Sequence, residues 1–145
     1  MDKLIFEKAS QADIPVIFGE SKALVDAYED LSKIDYNKVI SWIERKITNN
    51  IHRYTVICMN GEKVGYFRLE EKGNEAELDD LYILPPYRNR GIGKEVLRRC
   101  LNMTDKPVFL YVFKQNEGAI RLYKSMGFSP VTAVSETRLI MRWGG

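Results

Sequence analysis

The chain has 145 residues and a net charge of +2 at neutral pH, and its length suffices for one core that buries roughly two-thirds of the unfolded surface. Basic and acidic residues are mixed along it and no long apolar run occurs, so a nucleic-acid-binding stripe and a membrane span are both disfavoured. The N-terminus lacks the pattern of a signal peptide, and we expect a single cytoplasmic domain over residues 1–145.

The first fifty residues are predicted to form one strand and two helices. Leu4 to Lys8 should be the strand, and Ser10 is a suitable N-cap for the first helix. The apolar residues of both helices recur at three- and four-residue spacing, which predicts one buried face on each. They are Ile14, Ile17, Phe18, Ser21, Leu24, Val25 and Tyr28 in the first helix, and Val39, Ile40, Ile43 and Ile47 in the second, which should end near Asn49-Asn50.

A hairpin is predicted next. Residues 52–59 and 63–71 should be its strands, because the Asn60-Gly61 pair between them is a strong signal for a type I′ turn. Gly73-Asn74 should then turn the chain into a further strand.

This fourth strand should run from about Glu75 to Ile83. Its apolar residues change parity between Leu78 and Leu81, which predicts a one-residue bulge near Asp79-Asp80. A strand covered by helices on both faces would also explain the pattern, because alternation is then not required.

The stretch from Leu81 to Gly93 predicts a strand, a stop at two prolines, and a basic glycine turn into a helix. After Gly93, apolar residues recur at helical spacing. They are Val96, Leu97, Cys100 and Leu101. A helix start presents backbone N–H groups and the positive end of the helix dipole. The turn is therefore a candidate diphosphate site, with Arg88 and Arg90 at its rim.

Two common phosphate-binding motifs do not fit this turn. A P-loop has four residues between its glycines and then Lys-Ser/Thr, whereas one residue separates Gly91 from Gly93 and Glu95 follows Lys94. A dinucleotide fingerprint needs a third glycine where this chain has Val96. An ordinary basic helix start with two turn glycines remains the plain alternative.

The rest of the chain is predicted to form a strand over Val108 to Phe113, a short helix, and two strands around residues 131–134 and 137–143. Asn116 is a suitable N-cap for the helix and Gly127 a suitable residue after its end. The expected buried stripe of this helix comprises Ala119, Ile120, Leu122, Tyr123 and Met126.

Two motifs together resemble one family. Arg88-x-x-Gly91-x-Gly93 is similar to the acetyl-CoA pyrophosphate motif of the GNAT superfamily of N-acetyltransferases. Residues 116–128 resemble that family's second signature, Asn-x-x-Ala-x-x-x-Tyr-x-x-x-Gly-Phe. The resemblance implies an α/β (α+β) fold of order βααβββαβαββ. Its mixed, mostly antiparallel central sheet would have about seven strands, with strands 4 and 5 splayed apart, flanked by about four helices.

The resemblance also implies acetyl-CoA as co-substrate and no metal. Consistent with that, the lone His52 has no metal-ligand partners at useful spacing, and Cys58 and Cys100 are expected to be buried thiols. The residues expected to contact CoA lie at the end of the fourth strand, in the glycine turn and at the second signature. They are Leu81, Tyr82, Ile83, Arg88, Asn89, Arg90, Gly91, Ile92, Gly93, Lys94, Asn116 and Ala119.

Acyl transfer to an amine implies three further groups. A backbone N–H near Tyr82 or Ile83 would stabilise the oxyanion, and Tyr123 would protonate the departing thiolate. Glu77 is the first choice of base because it lies eleven residues before Arg88, where some GNAT enzymes carry a catalytic glutamate. Asp79, Asp80 or a water relay are alternatives for the base. A core aromatic is the alternative for Tyr123.

The sequence says less about which amine accepts the acetyl group. By resemblance, the first two helices and the C-terminal strands would wall its site, and the aromatic and acidic residues there suit a cationic amine. Those on the helices and the segment between them are Tyr28, Glu29, Asp30, Tyr36 and Trp42. A small amine and a peptide or protein amine both remain open, as does a homodimer; no nucleic-acid or membrane partner is expected. A non-catalytic CoA-binding module, or a nucleotide- or phosphate-binding domain, is the alternative function.

Overall fold

The computed structural model describes residues 2–144. The helices and strands follow the order βααβββαβαββ, as the sequence predicts. They are β1 Leu4–Lys8, α1 Ile14–Tyr28, α2 Tyr36–Asn49, β2 Thr55–Met59, β3 Glu62–Lys72, β4 Glu75–Ile83, α3 Ile92–Asn102, β5 Val108–Phe113, α4 Glu117–Ser125, β6 Ser129–Ala133 and β7 Arg138–Trp143. None of these helices is long and apolar enough to cross a membrane.

The strands form a seven-stranded sheet in the order β1-β2-β3-β4-β5-β7-β6. Strands β4 and β5 are parallel, whereas the pairs β1–β2, β2–β3, β5–β7 and β6–β7 are antiparallel. The predicted fold class, a mixed and mostly antiparallel sheet with four helices, is therefore confirmed.

The chain divides into two compact units. Unit 1 contains the described residues up to Arg68 together with Asp80–Leu84, and unit 2 contains Leu69–Asp79 and the described residues from Pro85 onward. The interpretation of the chain as one domain remains a prediction.

Unit 1 is built on β1, β2, the first part of β3 and the two long helices. The middle of each predicted stripe is buried, whereas the other predicted stripe residues are half-exposed. The buried residues are Ile17, Ser21 and Val25 in α1 and Ile43 and Ile47 in α2. Asn60 (φ 54°) and Gly61 (φ 78°) are both left-handed, which confirms the type I′ turn between β2 and β3. The thiol of Cys58 is buried, as expected.

Two boundaries in unit 1 differ from the prediction. Ser10 is the N-cap of a 3₁₀ turn over Gln11–Asp13 and α1 begins only at Ile14, and the first strand of the hairpin starts later than expected. Residues 52–54 do not extend the hairpin strand, because residues 51–53 form a 3₁₀ turn and β2 begins at Thr55. The turn is closed by hydrogen bonds from Arg53 N to Asn50 O and from Tyr54 N to Ile51 O. These local bonds use the backbone donors that a strand would have given to its neighbour.

Unit 2 contains α3, α4 and β5 to β7, with the first part of β4. Helix α3 buries one face, formed by Ile92, Val96, Leu97, Cys100 and Leu101, so the second free thiol is buried too. In β5, Val108, Leu110 and Val112 are buried in strict alternation. The parallel ladder between β4 and β5 is recorded at two register pairs, Ala76↔Val108 and Glu77↔Phe109, although β5 continues to Phe113.

Helix α4 corrects a further expectation. None of its residues is fully buried: Ala119, Ile120, Leu122, Tyr123 and, just after it, Met126 are all half-exposed. The spacing identifies the inward stripe correctly, but burial depth depends on how much of the unit covers a nine-residue helix, which periodicity does not encode.

Candidate active site

The glycine turn of unit 2 has the backbone of an anion site. Asn89 (φ 62°) and Gly91 (φ 79°) are both left-handed, a conformation typical of turns that gather backbone N–H groups into a concave nest. Gly91 is the N-cap of α3, and Glu95 N donates to Gly91 O at 3.2 Å. The N–H groups of the three residues between them have no acceptor within the helix.

The exposure and the charge of the side chains in this turn also suit an anion site. Ile92 is buried and anchors the start of α3, while Arg88, Asn89, Arg90, Gly91 and Lys94 are exposed. The Arg90 guanidinium lies 5.7 Å from the ring centroid of Tyr87. An exposed left-handed glycine beside a helix N-terminus and three basic side chains suits a diphosphate both sterically and electrostatically.

The second signature folds as one capped helix. Asn116 Oδ1 accepts a hydrogen bond from Ala119 N at 3.3 Å, so the Asn116 side chain caps the N-terminus of α4 at the backbone of Ala119. At the other end Gly127 is left-handed (φ 99°). Hydrogen bonds from Phe128 N to Tyr123 O and from Gly127 N to Lys124 O complete a Schellman motif. Helix capping thus accounts for the signature's Asn and Gly, whereas the Phe128 side chain is buried.

Capping does not explain the tyrosine of the signature, Tyr123. Its ring packs on Phe128 at a centroid distance of 5.7 Å. The residue as a whole is half-exposed, but desolvation of its hydroxyl raises the pKa to about 12. A phenol with this pKa is protonated at neutral pH and available as a proton donor.

Glu77 is a buried carboxylate, with 7% of its surface exposed. It lies in β4 in register with Phe109 of β5, and it accepts a hydrogen bond from the Lys72 ammonium, with which it forms an ion pair. Sequence reasoning missed Lys72. Lys72 and Glu77 are five residues apart across the β3–β4 turn, and only the fold shows that this turn brings their side chains together.

The alternative bases Asp79 and Asp80 differ in their surroundings. Asp79 is half-buried in unit 2. Asp80, in unit 1, accepts hydrogen bonds from Tyr54 (2.5 Å) and Tyr82 (2.7 Å) and pairs with Lys46 (3.1 Å). Burial alone would raise its pKa, but Lys46 and the two hydroxyls outweigh burial and hold the pKa below its usual value. A carboxylate so stabilised in its charged form is a weak proton acceptor.

The backbone at Asp80 carries the predicted irregularity of the fourth strand. Asp80 is left-handed (φ 53°) inside β4, a conformation characteristic of bulged strands. Leu81, Tyr82 and Ile83 follow it in unit 1, with Tyr82 buried and the other two half-buried. Their contact with CoA remains a prediction.

Comparison with known proteins decides the family. Residues 21–128 match the model of the Acetyltransferase (GNAT) family. The chain belongs to this family. The resemblance inferred from the two motifs is therefore confirmed, and the glycine turn, β4, β5 and α4 all lie within the matched range of this GNAT protein.

Individual relatives are distant. The chain is 32% identical over 92 residues to an N-alpha-acetyltransferase, RimI, of Mycobacterium tuberculosis, covering 60% of this chain and 58% of that protein. It is 34% identical over 77 residues to thialysine N-epsilon-acetyltransferase of Mus musculus, covering 50% and 45%. The chain thus spans about half the length of these curated relatives.

A solved structure matches over nearly the whole length. The PaiA N-acetyltransferase of Thermoplasma acidophilum, solved in complex with coenzyme A, has a TM-score of 0.70 and 22% identity, with 99% of each chain covered. At this identity the likeness establishes the GNAT fold.

The expected acceptor residues all lie in unit 1. The Tyr36 hydroxyl donates to Asp26 at 2.6 Å, and Asp30 accepts from the Ser32 hydroxyl at 2.6 Å, so both side chains are engaged locally. Trp42 is 57% exposed, and the Lys46 ammonium lies 5.6 Å from its ring centroid. Tyr28 and Glu29 are half-exposed. Sequence reasoning missed Lys46, because nothing local marks a helix lysine as the partner of Asp80.

Proposed function

We propose that this protein is an acetyl-CoA-dependent N-acyltransferase that transfers an acetyl group directly to a primary amine. The observation that carries the proposal is the exposed left-handed Gly91 at the N-terminus of α3, inside the family's pyrophosphate motif. The capped α4 that presents Tyr123 supports it, as does the CoA complex of the Thermoplasma acidophilum structure.

The residues of the turn would hold acetyl-CoA. The backbone N–H groups from Ile92 to Lys94 would bind the pyrophosphate, and the side chains of Arg88 and Arg90 would add positive charge. Acetyl-CoA supplies the activated acetyl thioester. The backbone of residues 81–83 is the expected oxyanion donor and contact for the pantetheine arm.

Two side chains would move protons. Glu77 takes a proton from the acceptor's ammonium, which frees the nitrogen lone pair to attack the thioester carbonyl. Tyr123, whose hydroxyl has a pKa of about 12 and is protonated at neutral pH, gives its proton to the sulfur as the carbon–sulfur bond breaks. The second proton of the amine nitrogen, released as the amide forms, returns Tyr123 to its protonated state. Lys72, paired with Glu77, would orient the carboxylate.

We propose a cationic amine as acceptor. Glu29, Asp30, Tyr36 and Trp42 supply acidic and aromatic surface in the region from the end of α1 to α2. Ammonium groups bind to carboxylates and to aromatic faces. The two curated relatives act, by their names, on an α-amine and on the ε-amine of thialysine. A small-molecule amine and a peptide or protein amine are therefore both candidates.

Thiol release tests the proposal. The protein is incubated with acetyl-CoA and a panel of amines comprising lysine, thialysine, a polyamine and a peptide with a free N-terminus, and free CoA is measured. Amine-dependent release supports an enzyme. Calorimetric binding of acetyl-CoA without release from any amine would favour a CoA-binding module, and binding of ATP in place of acetyl-CoA would favour a nucleotide-binding domain.

A further inference from the structure

Asp80 combines two features that no other described residue of β4 shows. It is left-handed in the middle of a strand, and its carboxylate is held by three donors from other positions. Among residues 2–144, the other left-handed residues that are not glycine, Asn60 and Asn89, lie outside the strands. Left-handed backbone inside a strand is disfavoured for any residue with a Cβ, so surrounding contacts must stabilise this conformation of Asp80.

The donors come from three parts of unit 1. Lys46 extends from α2, Tyr54 lies just before β2, and Tyr82 follows in β4 itself. Tyr54 and Tyr82 use different oxygens of the carboxylate, Oδ2 and Oδ1, so both oxygens are fixed. Tyr54 is 1% exposed, and its buried ring makes this anchor rigid.

The segment after Asp80 is also fixed on its β3 side. Leu84 N donates to Val64 O at 2.8 Å. At Gly65 the backbone runs so close that a Cβ would collide with the carbonyl oxygen of Tyr82. The backbone of residues 81–83 therefore lies between a carboxylate anchor at one end and close backbone contacts with β3 at the other.

We propose that Asp80 is a positioning residue whose carboxylate, held by Lys46, Tyr54 and Tyr82, sets the backbone of residues 81–83 for thioester binding. This inference rests on the proposed function, which assigns those backbone groups to the pantetheine arm and the oxyanion. Asp80 itself touches no substrate in this role and transfers no proton. Its part is to hold the left-handed bend and with it the direction of the next three peptide groups.

Three substitutions at position 80 separate the backbone requirement from the side-chain anchor. Asp80→Gly permits the left-handed conformation but removes the carboxylate, whereas Asp80→Ala removes the carboxylate and disfavours the conformation. Asp80→Asn tolerates the left-handed conformation and keeps one acceptor oxygen, but it removes the charge and replaces the other oxygen with an NH₂ donor. Catalytic efficiency with acetyl-CoA should fall in the order parent, Asn, Gly, Ala, with a loss for Ala on the order of 10- to 100-fold.

Lys46→Met tests the anchor without changing residue 80. It keeps an unbranched side chain of similar length on α2 and removes only the cation. We expect a smaller loss in the same direction. Lys3→Met is the control for the lysine-to-methionine change, because Lys3 is exposed before β1, has no assigned role and should leave acetyl-CoA kinetics unchanged.

The readouts distinguish positioning from stability. For each folded variant, KM for acetyl-CoA, kcat, CoA affinity by calorimetry and amide exchange at residues 81–83 without ligand are measured well below the melting temperature. We expect weaker CoA binding together with faster exchange at these amides, and no new acid limb in the pH–rate profile. Asp80→Ala with parental CoA affinity, kinetics and exchange, and only a lower Tm, would overturn the proposal.

The amide exchange measurement tests the positioning role of Asp80 independently of the proposed acyltransferase function. Failure of the parent protein to bind CoA would overturn both. Parental CoA binding with unchanged exchange at residues 81–83 in Asp80→Ala and Lys46→Met would overturn the positioning role alone.

Discussion

Tyr123 has the protonated hydroxyl that a proton donor needs. Desolvation raises its pKa to about 12, so the hydroxyl is protonated over the neutral and mildly alkaline range. Tyr123→Phe keeps the ring and its packing on Phe128 and removes only the hydroxyl. We expect CoA affinity to change little and kcat to fall on the order of 10²- to 10⁴-fold. Calorimetry and steady-state kinetics on the same preparation measure the two effects.

Tyr111→Phe is a suitable control for this change, since Tyr111 is 42% exposed on β5 and has no assigned role. A fully active Tyr123→Phe enzyme would make Tyr123 a packing residue of α4.

The proposed role of Glu77 as base predicts a pH dependence of turnover for Glu77→Gln that differs from that of Tyr123→Phe. If it accepts the acceptor's proton, Glu77→Gln should slow turnover at neutral pH, and raising the pH should restore part of the rate because more amine is already deprotonated. Tyr123→Phe should show no such recovery, since its missing proton is needed at the sulfur. Rate profiles from pH 6 to 10 test both.

Glu75→Gln is the matched control for Glu77→Gln. Glu75 lies two residues earlier in β4 and pairs with Arg142 at 2.6 Å, so the control also removes one charge of an ion pair in the same strand. Equal activity of Glu77→Gln and the parent would direct the search to Asp79 or an ordered water.

At the scale of single elements, the predictions succeed where a local signal is complete. Asn60-Gly61 specifies its turn, and Asn116 with Gly127 specifies both ends of α4, because each requires only neighbouring backbone geometry. The 3₁₀ turn at residues 51–53 lacks such a signal and is mistaken for strand. The contacts of Asp80 with Lys46 and Tyr54 and the Lys72–Glu77 pair join different elements, so no local pattern could reveal them.

The start of α3 gives a prediction at this scale. Gly91→Val places a β-branched residue at φ 79°, a conformation it strongly disfavours, and puts side-chain bulk against the bound pyrophosphate. We expect a larger loss of CoA affinity than for Arg90→Ala, which removes a rim charge and leaves the backbone turn intact. Titration calorimetry with CoA compares the two variants.

Gly19→Val controls for the glycine-to-valine change. Gly19 lies in α1, its φ is not positive, and no atom beyond its chain neighbours and its own helix backbone lies within 4 Å of an added Cβ. The CoA affinity of Gly19→Val should match that of the parent protein. A folded Gly91→Val protein that binds CoA like the parent would show that the pyrophosphate lies elsewhere.

At the scale of the whole molecule, ligand binding should appear as stability. A ligand that binds only the folded protein stabilises it by about 2.7 kcal/mol when its free concentration is a hundred times its dissociation constant. For a chain of this size that corresponds to a rise in Tm of roughly 5–10 °C. We expect this shift with acetyl-CoA, a much smaller one for Gly91→Val at the same concentration, and none with ATP. Thermal unfolding followed by circular dichroism measures all three. An unchanged Tm in saturating acetyl-CoA would contradict the acyltransferase proposal, and a shift with ATP alone would favour a nucleotide-binding function.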